Sequence, residues 1–118
     1  MRTAADAMRV PPALVAPATT LQAASQAMLD AGTHAAIVVA DGRACGVVTA
    51  GDVAQALGDG YDAGDTEVGT IAEREPVVVR TDDVLAEAHD RMRAAAQPAA
   101  AVVDRHGAPV GLLVDPEA

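Results

Sequence analysis

The feature that most constrains this chain is that it is written twice. Sixty-four positions separate Pro12 from Pro76, Val15 from Val79, Leu21 from Leu85 and Met28 from Met92, and the same step carries Val38-Val39 onto Val102-Val103. Ala24, Ala31, Ala35 and Ala36 fall on Ala88, Ala95, Ala99 and Ala100, although alanine matches are cheap in an alanine-rich chain. One residue of slippage in a turn then brings Gly42 onto Gly107 and Gly46 onto Gly111. Preserved order, preserved spacing and a single insertion confined to a turn mark a duplicated unit.

Each copy predicts the same run of elements. Residues 13–16 and 77–80, each behind a proline, are short strand candidates. A helix follows. In the first copy Leu21, Ala24, Met28 and Leu29 share one face at helical spacing, with Gln22, Gln26 and Asp30 outside. Thr19-Thr20 marks its start and Gly32 its end. In the second copy Leu85, Ala88, Met92 and Ala95 make the stripe, Asp82 or Asp83 offers a cap, and Pro98 bars continuation. Then comes a hairpin: 36–40 with 45–49 around Asp41-Gly42, and 99–104 with 109–114 around His106-Gly107. Residues 50–57 read as a further helix; the second copy, running to Ala118, has no room for its counterpart. Residues 3–8 and 66–72 are matching helical lead-ins.

The expected division is a first repeat at 1–58, a flexible acidic linker at 59–65, and a C-terminally truncated second repeat at 66–118. The fold class is α/β (α+β): tandem β-α-β-β-α units packed with pseudo-twofold symmetry, the last helix of the second unit missing. Units this small are marginal alone, so the two must share one body with clefts at the seam.

Composition narrows the function classes. The chain has 118 residues, 51% hydrophobic and 21% charged, which is the balance of a globular domain. A single cysteine excludes an internal disulfide. No apolar run approaches the roughly 20 residues of a membrane helix, and no signal core opens the chain, so the expected setting is soluble and cytoplasmic. The net charge of −9 argues against nucleic acid and acidic lipid as partners. Tyr61 is the sole aromatic residue, so stacking platforms for single-stranded nucleic acid are missing.

The duplicated pattern resembles the CBS-domain pair, or Bateman module, over nearly the whole chain. The carrying residues are Leu21-x-x-Ala24-x-x-x-Met28, Val38-Val39, Gly42 and Gly46-Val47-Val48-Thr49-Ala50-Gly51-Asp52, then Leu85-x-x-Ala88-x-x-x-Met92, Ala101-Val102-Val103-Asp104 and Gly111-Leu112-Leu113-Val114. The resemblance implies two units docked through their sheets. It implies regulatory binding of an adenosine-type small molecule (AMP, ADP, ATP or S-adenosylmethionine) in the clefts between them. It also implies a homodimer of pairs and a regulated protein partner, with no catalysis and no permanent cofactor.

Chemistry locates the site. A carboxylate at Asp52 can accept from both hydroxyls of a ribose diol, Thr49 adds a hydroxyl beside it, and Gly51 permits close backbone approach. By the resemblance, the base lies against the other half, near Val77, Val79, Gln97, Pro98 and Ala101. The same Thr-x-x-Asp is also the pattern of a helix capping box, the blander use of these residues. In the second copy Val114 stands where the threonine should be and Glu117 at the aspartate position, so at most one ligand per chain is expected. His34 would face the other, defective cleft. Arg74, Arg80 and Arg105 read as solvated charges rather than phosphate contacts.

Other constellations fail on spacing. Ser25 lies on the outer side of a helix without an elbow motif, which argues against a triad. His34, His89 and His106 are too widely spaced for a zinc site. Asp59, Asp62 and Asp65 lack the alternate spacing of a calcium loop. Cys45 is expected as a small core hydrophobe. The rival to a ligand sensor is a ligand-free structural or dimerisation module.

Overall fold

The structure, a computed structural model, describes residues 1–116. Helix α1 (Ala4–Ala7) leads into strand β1 (Leu14–Val15), helix α2 (Leu21–Ala31), strands β2 (Ala35–Ala40) and β3 (Arg43–Thr49), and helix α3 (Ala50–Gly58). A short 3-10 turn (Val68–Thr70) then precedes strand β4 (Val78–Arg80), helix α4 (Leu85–Ala94) and strands β5 (Ala99–Val103) and β6 (Pro109–Val114). The strands form two three-stranded sheets, ordered β1-β2-β3 and β4-β5-β6, each with one parallel and one antiparallel pairing. The duplication is therefore structural as well as sequential, and the mixed α/β architecture is the one expected.

Three apolar clusters hold this together. One lies between the first sheet and its helices, built on Leu21, Ala24, Met28, Val38, Val48 and Val53. Its twin uses Leu85, Ala88, Met92, Val102 and Leu113. The third joins the sheets face to face through Ala35, Ile37 and Val47 from the first repeat and Ala99, Ala101 and Leu112 from the second. These six are three repeat-related pairs, so the pseudo-twofold axis runs through this layer. The small side chains let the sheets approach closely.

The turns explain the single insertion. Asp41 (φ 54°) and Gly42 (φ 76°) form a two-residue loop with both positions left-handed, as a tight hairpin requires. In the second hairpin Asp104 N–H bonds the Ala108 carbonyl at 2.9 Å and Gly107 alone is left-handed at φ 84°, giving a loop one residue longer. Both ladders break at the same place, between Val38 and Val39 and between Val102 and Val103. There β3 carries one residue more than its partner. That residue is Cys45, which the bulge turns into solvent, so the core role expected for it is incorrect.

Two further expectations need correction. Leu29 is 73% exposed: at about 100° per residue it sits at the edge of the α2 stripe and faces the gap toward α3. Neither Asp82 nor Asp83 caps α4, whose N-cap is Val84; the Asp83 carboxylate instead accepts from Arg80 N–H at 2.8 Å and closes the preceding turn.

The lead-ins pack crosswise. Ala4 N–H bonds the Asp83 carbonyl, Leu85 N–H bonds the Arg2 carbonyl, and Arg9 bridges Leu112, so α1 lies on the second repeat. Val68 N–H bonds the Thr19 carbonyl and Glu73 bridges Val47, so the second lead-in lies on the first. Between them, Asp62 accepts from Gly64 N–H and Asp65 N–H, and the Ala63 carbonyl accepts from Gln22 N–H. Among the described residues, no helix is long and apolar enough to cross a membrane.

Candidate functional site

Strand β3 ends at Thr49, and α3 starts one residue later. Thr49 is extended (φ −109°, ψ 161°) and is the N-cap. Asp52 N–H donates to Thr49 Oγ1 at 3.0 Å, and Thr49 N–H donates to Asp52 Oδ2 at 2.9 Å. The capping box is thus formed, and it fixes both side chains at the head of the helix. It engages one carboxylate oxygen of Asp52. The position of Oδ1 follows from that lock, as does the presentation of a half-buried carboxylate beside a strand end.

The helix N-terminus is largely spent. Asp52 N–H goes to Thr49, and Ala50 N–H donates to the His34 carbonyl at 2.8 Å. Little remains there for a phosphate group. Asp52 opens onto a hollow of about 300 Å³ shared with Gln55, Ala56, Asp59, Tyr61 and Ile71. Its polar lining carries two carboxylates, an amide and a phenol, and no cationic side chain. Tyr61 is reached through the α3 C-terminus: its N–H donates to the Ala56 carbonyl at 3.0 Å, after Gly60 at φ 96° turns the chain.

The second-half residues divide. Gln97 Oε1 accepts from Val77 N–H at 2.7 Å and Gln97 Nε2 donates to the Glu75 carbonyl at 2.9 Å, so this amide ties down the entry to β4. Gln97 and Pro98 line a hollow of about 230 Å³ with Met92, Arg93, Ala96 and Asp115. Val79 is fully buried in the α4 core, and Ala101 is fully buried between the sheets. The hollow onto which Asp52 opens carries none of these residues, and the one lined by Gln97 and Pro98 carries neither Thr49 nor Asp52. Gln55, Asp59 and Ile71 were not expected beside Asp52. For two of them the signal was present: Gln55 and the C-cap Asp59 fall with Asp52 on one face of α3 at helical spacing.

The second copy differs chemically. Val114 takes the place of Thr49, and Asp115 takes that of Ala50, its N–H donating to the Pro98 carbonyl at 2.9 Å. The Asp115 carboxylate is buried and meets Arg93 at 3.3 Å. Glu117, the expected counterpart of Asp52, lies outside the described residues. Among the described residues, no cluster of three or more histidine, cysteine, aspartate or glutamate side chains could hold a metal ion.

A third depression, about 290 Å³ and mostly apolar, runs between α2 and α3 and is lined by Ser25, Met28, Leu29, His34, Val53 and Leu57. Leu29 and Leu57 leave much of their surface exposed on it.

Comparison with known proteins agrees with this architecture. The CBS domain profile matches the chain twice, at residues 4–59 and 68–115. No curated protein sequence matches it. Among solved structures, a CBS domain protein from Pyrobaculum aerophilum complexed with AMP superposes with a TM-score of 0.86 at 22% identity, covering 96% of this chain and 87% of that one. The CBS domain pair of protein MJ0100, in complex with 5′-methylthioadenosine and S-adenosyl-L-methionine, gives 0.85 at 18% identity over 98% and 90%. Hypoxic Response Protein I with two coordinated zinc ions gives 0.80 at 25% identity over 97% and 93%.

Proposed function

The chain belongs to the CBS domain family and carries the domain twice, and from that premise we propose that it is a regulatory, non-catalytic module that takes one adenosine-type ligand at the head of α3. The ribose diol donates to the Asp52 carboxylate, with the Thr49 hydroxyl beside it. The observation that carries this reading is the Thr49–Asp52 lock, which holds a half-buried carboxylate at the end of β3 with one oxygen left for a ligand. Proteins of the same fold bound to AMP, 5′-methylthioadenosine and S-adenosyl-L-methionine support the ligand class.

Val77, Gln97 and Pro98, the base contacts that the family resemblance implies, lie beyond the hollow that Asp52 opens onto, whose lining includes none of them. The Gln97 amide is already engaged, so these residues offer mainly aliphatic surface. Val79 and Ala101 are fully buried and contribute packing rather than ligand contacts. Ligand binding transmits a signal to a protein partner only if it favours one packing of the repeats over another. Native mass spectrometry with AMP, 5′-methylthioadenosine and S-adenosyl-L-methionine tests the reading. One bound molecule per chain agrees with it, and none with any of the three contradicts it.

A second reading, a ligand-free dimerisation module, is favoured by the apolar depression between α2 and α3. Leu29 is 73% and Leu57 46% exposed there, and such a face is suited to a second copy of the chain. Sedimentation equilibrium separates the two, since a dimer whose stability ignores every adenosine compound fits only this alternative.

A further inference from the structure

We propose that Tyr61 closes the outer side of the Asp52 site and packs its ring against the base of the bound adenosine compound. This rests on the ligand reading above and extends it to a residue outside the family motif. Tyr61 is the chain's sole aromatic residue, and neither repeat core uses it. It lies instead on the rim of the hollow that Asp52 opens onto, with 46% of its surface exposed. Large aromatic rings bury most of their area when a partner is available, and base–aromatic stacking is a strong, geometry-specific contact.

The backbone is set up to hold the ring at that rim. Asp52, Gln55 and Asp59 follow one face of α3 down from the ribose anchor, and the Tyr61 N–H bond to the Ala56 carbonyl returns the chain onto that face. Gly58 and Gly60 flank the turn, and Gly60 has a left-handed backbone. Ile71 of the second lead-in supplies an apolar floor. The ring can thus move between solvent and ligand by side-chain rotation, with its backbone held.

A chain with one tyrosine and no tryptophan permits an unambiguous test. The protein is labelled at the tyrosine ring and titrated with 5′-methylthioadenosine, AMP and S-adenosyl-L-methionine, and its single set of ring resonances is followed by NMR beside calorimetry. The expected result is that the ring signals shift over the concentration range in which heat is released. Tyr61→Ala then weakens binding about 3- to 10-fold, while Tyr61→Phe retains it. Binding that is abolished by Asp52→Asn, yet leaves the ring signals and the Tyr61→Ala affinity unchanged, overturns this proposal and leaves the ligand reading standing. Absence of heat with all three compounds overturns both.

Discussion

Gly32 and Ala96 stand at equivalent places in the two repeats and share one left-handed conformation, φ 68° and φ 56°. Each ends a helix by the same pair of bonds: Gly32 N–H to the Leu29 carbonyl and Thr33 N–H to the Met28 carbonyl, then Ala96 N–H to the Arg93 carbonyl and Gln97 N–H to the Met92 carbonyl. Glycine takes this conformation freely, whereas alanine strains against its Cβ. Ala96→Gly is therefore expected to stabilise the protein by about 1 kcal/mol, and Gly32→Ala to destabilise it by about as much. Urea unfolding of both variants checks the pair. Shifts of the same sign in the two would refute the assignment.

Gly46 is required for a different reason. A Cβ there would stand 2.9 Å from the Glu73 carbonyl oxygen, because the second lead-in crosses β3 at that point. Its counterpart Gly111 faces the first lead-in too, but there the nearest atoms belong to the Met8 side chain rather than to the backbone. Gly46→Ala should cost about 1–3 kcal/mol, the usual range for overpacking. Gly58→Ala, whose added carbon meets nothing within 4 Å, should be neutral or slightly stabilising. Equal unfolding midpoints for the two would contradict the crossed arrangement.

Most of the architecture was legible in the sequence because duplication supplies its own control. Hairpin signals at Asp41-Gly42, helix ends at Thr20 and Gly32, and paired lead-ins all recur at one spacing. What escaped was set by contacts between distant segments. No local pattern announces that Ala4 packs on the second repeat or Val68 on the first. Cys45 sits in an apolar strand pattern, yet a bulge of one residue reverses its face. Leu29 completes an apolar stripe, yet its side of α2 borders an open groove. The candidate site was half legible. Thr49 and Asp52 follow from a motif, whereas Tyr61 reaches the hollow through a turn whose course depends on Gly60.

The capping role of the motif can be measured on its own. Thr49→Ser keeps a hydroxyl for the cap and should leave stability near that of the parent. Thr49→Ala should cost about 1 kcal/mol. Denaturation curves decide this, and an unchanged Thr49→Ala midpoint would show that the box contributes nothing.

Acid stability should depend on two carboxylates, the exposed Asp6 and the half-buried Asp104. Hydrogen bonds from Ala108 N–H and His106 N–H hold the Asp104 carboxyl below its ordinary value, and the Thr3 N–H and hydroxyl do the same for Asp6. A depressed folded-state value means that the contribution is present above the ordinary aspartate range, near pH 4, and is lost as the pH falls through the folded value. Asp104→Asn should therefore lose less stability than the parent between about pH 4 and pH 2. Parallel curves over that window would exclude the effect.

The most direct test of the central claim is calorimetric titration of the parent and Asp52→Asn with AMP, 5′-methylthioadenosine, S-adenosyl-L-methionine and ATP. The account predicts one site per chain for at least one of the first three, weaker or no binding of ATP, and loss of binding in a folded Asp52→Asn variant. Undiminished affinity in that variant, or silence from the parent across all four compounds, would contradict it.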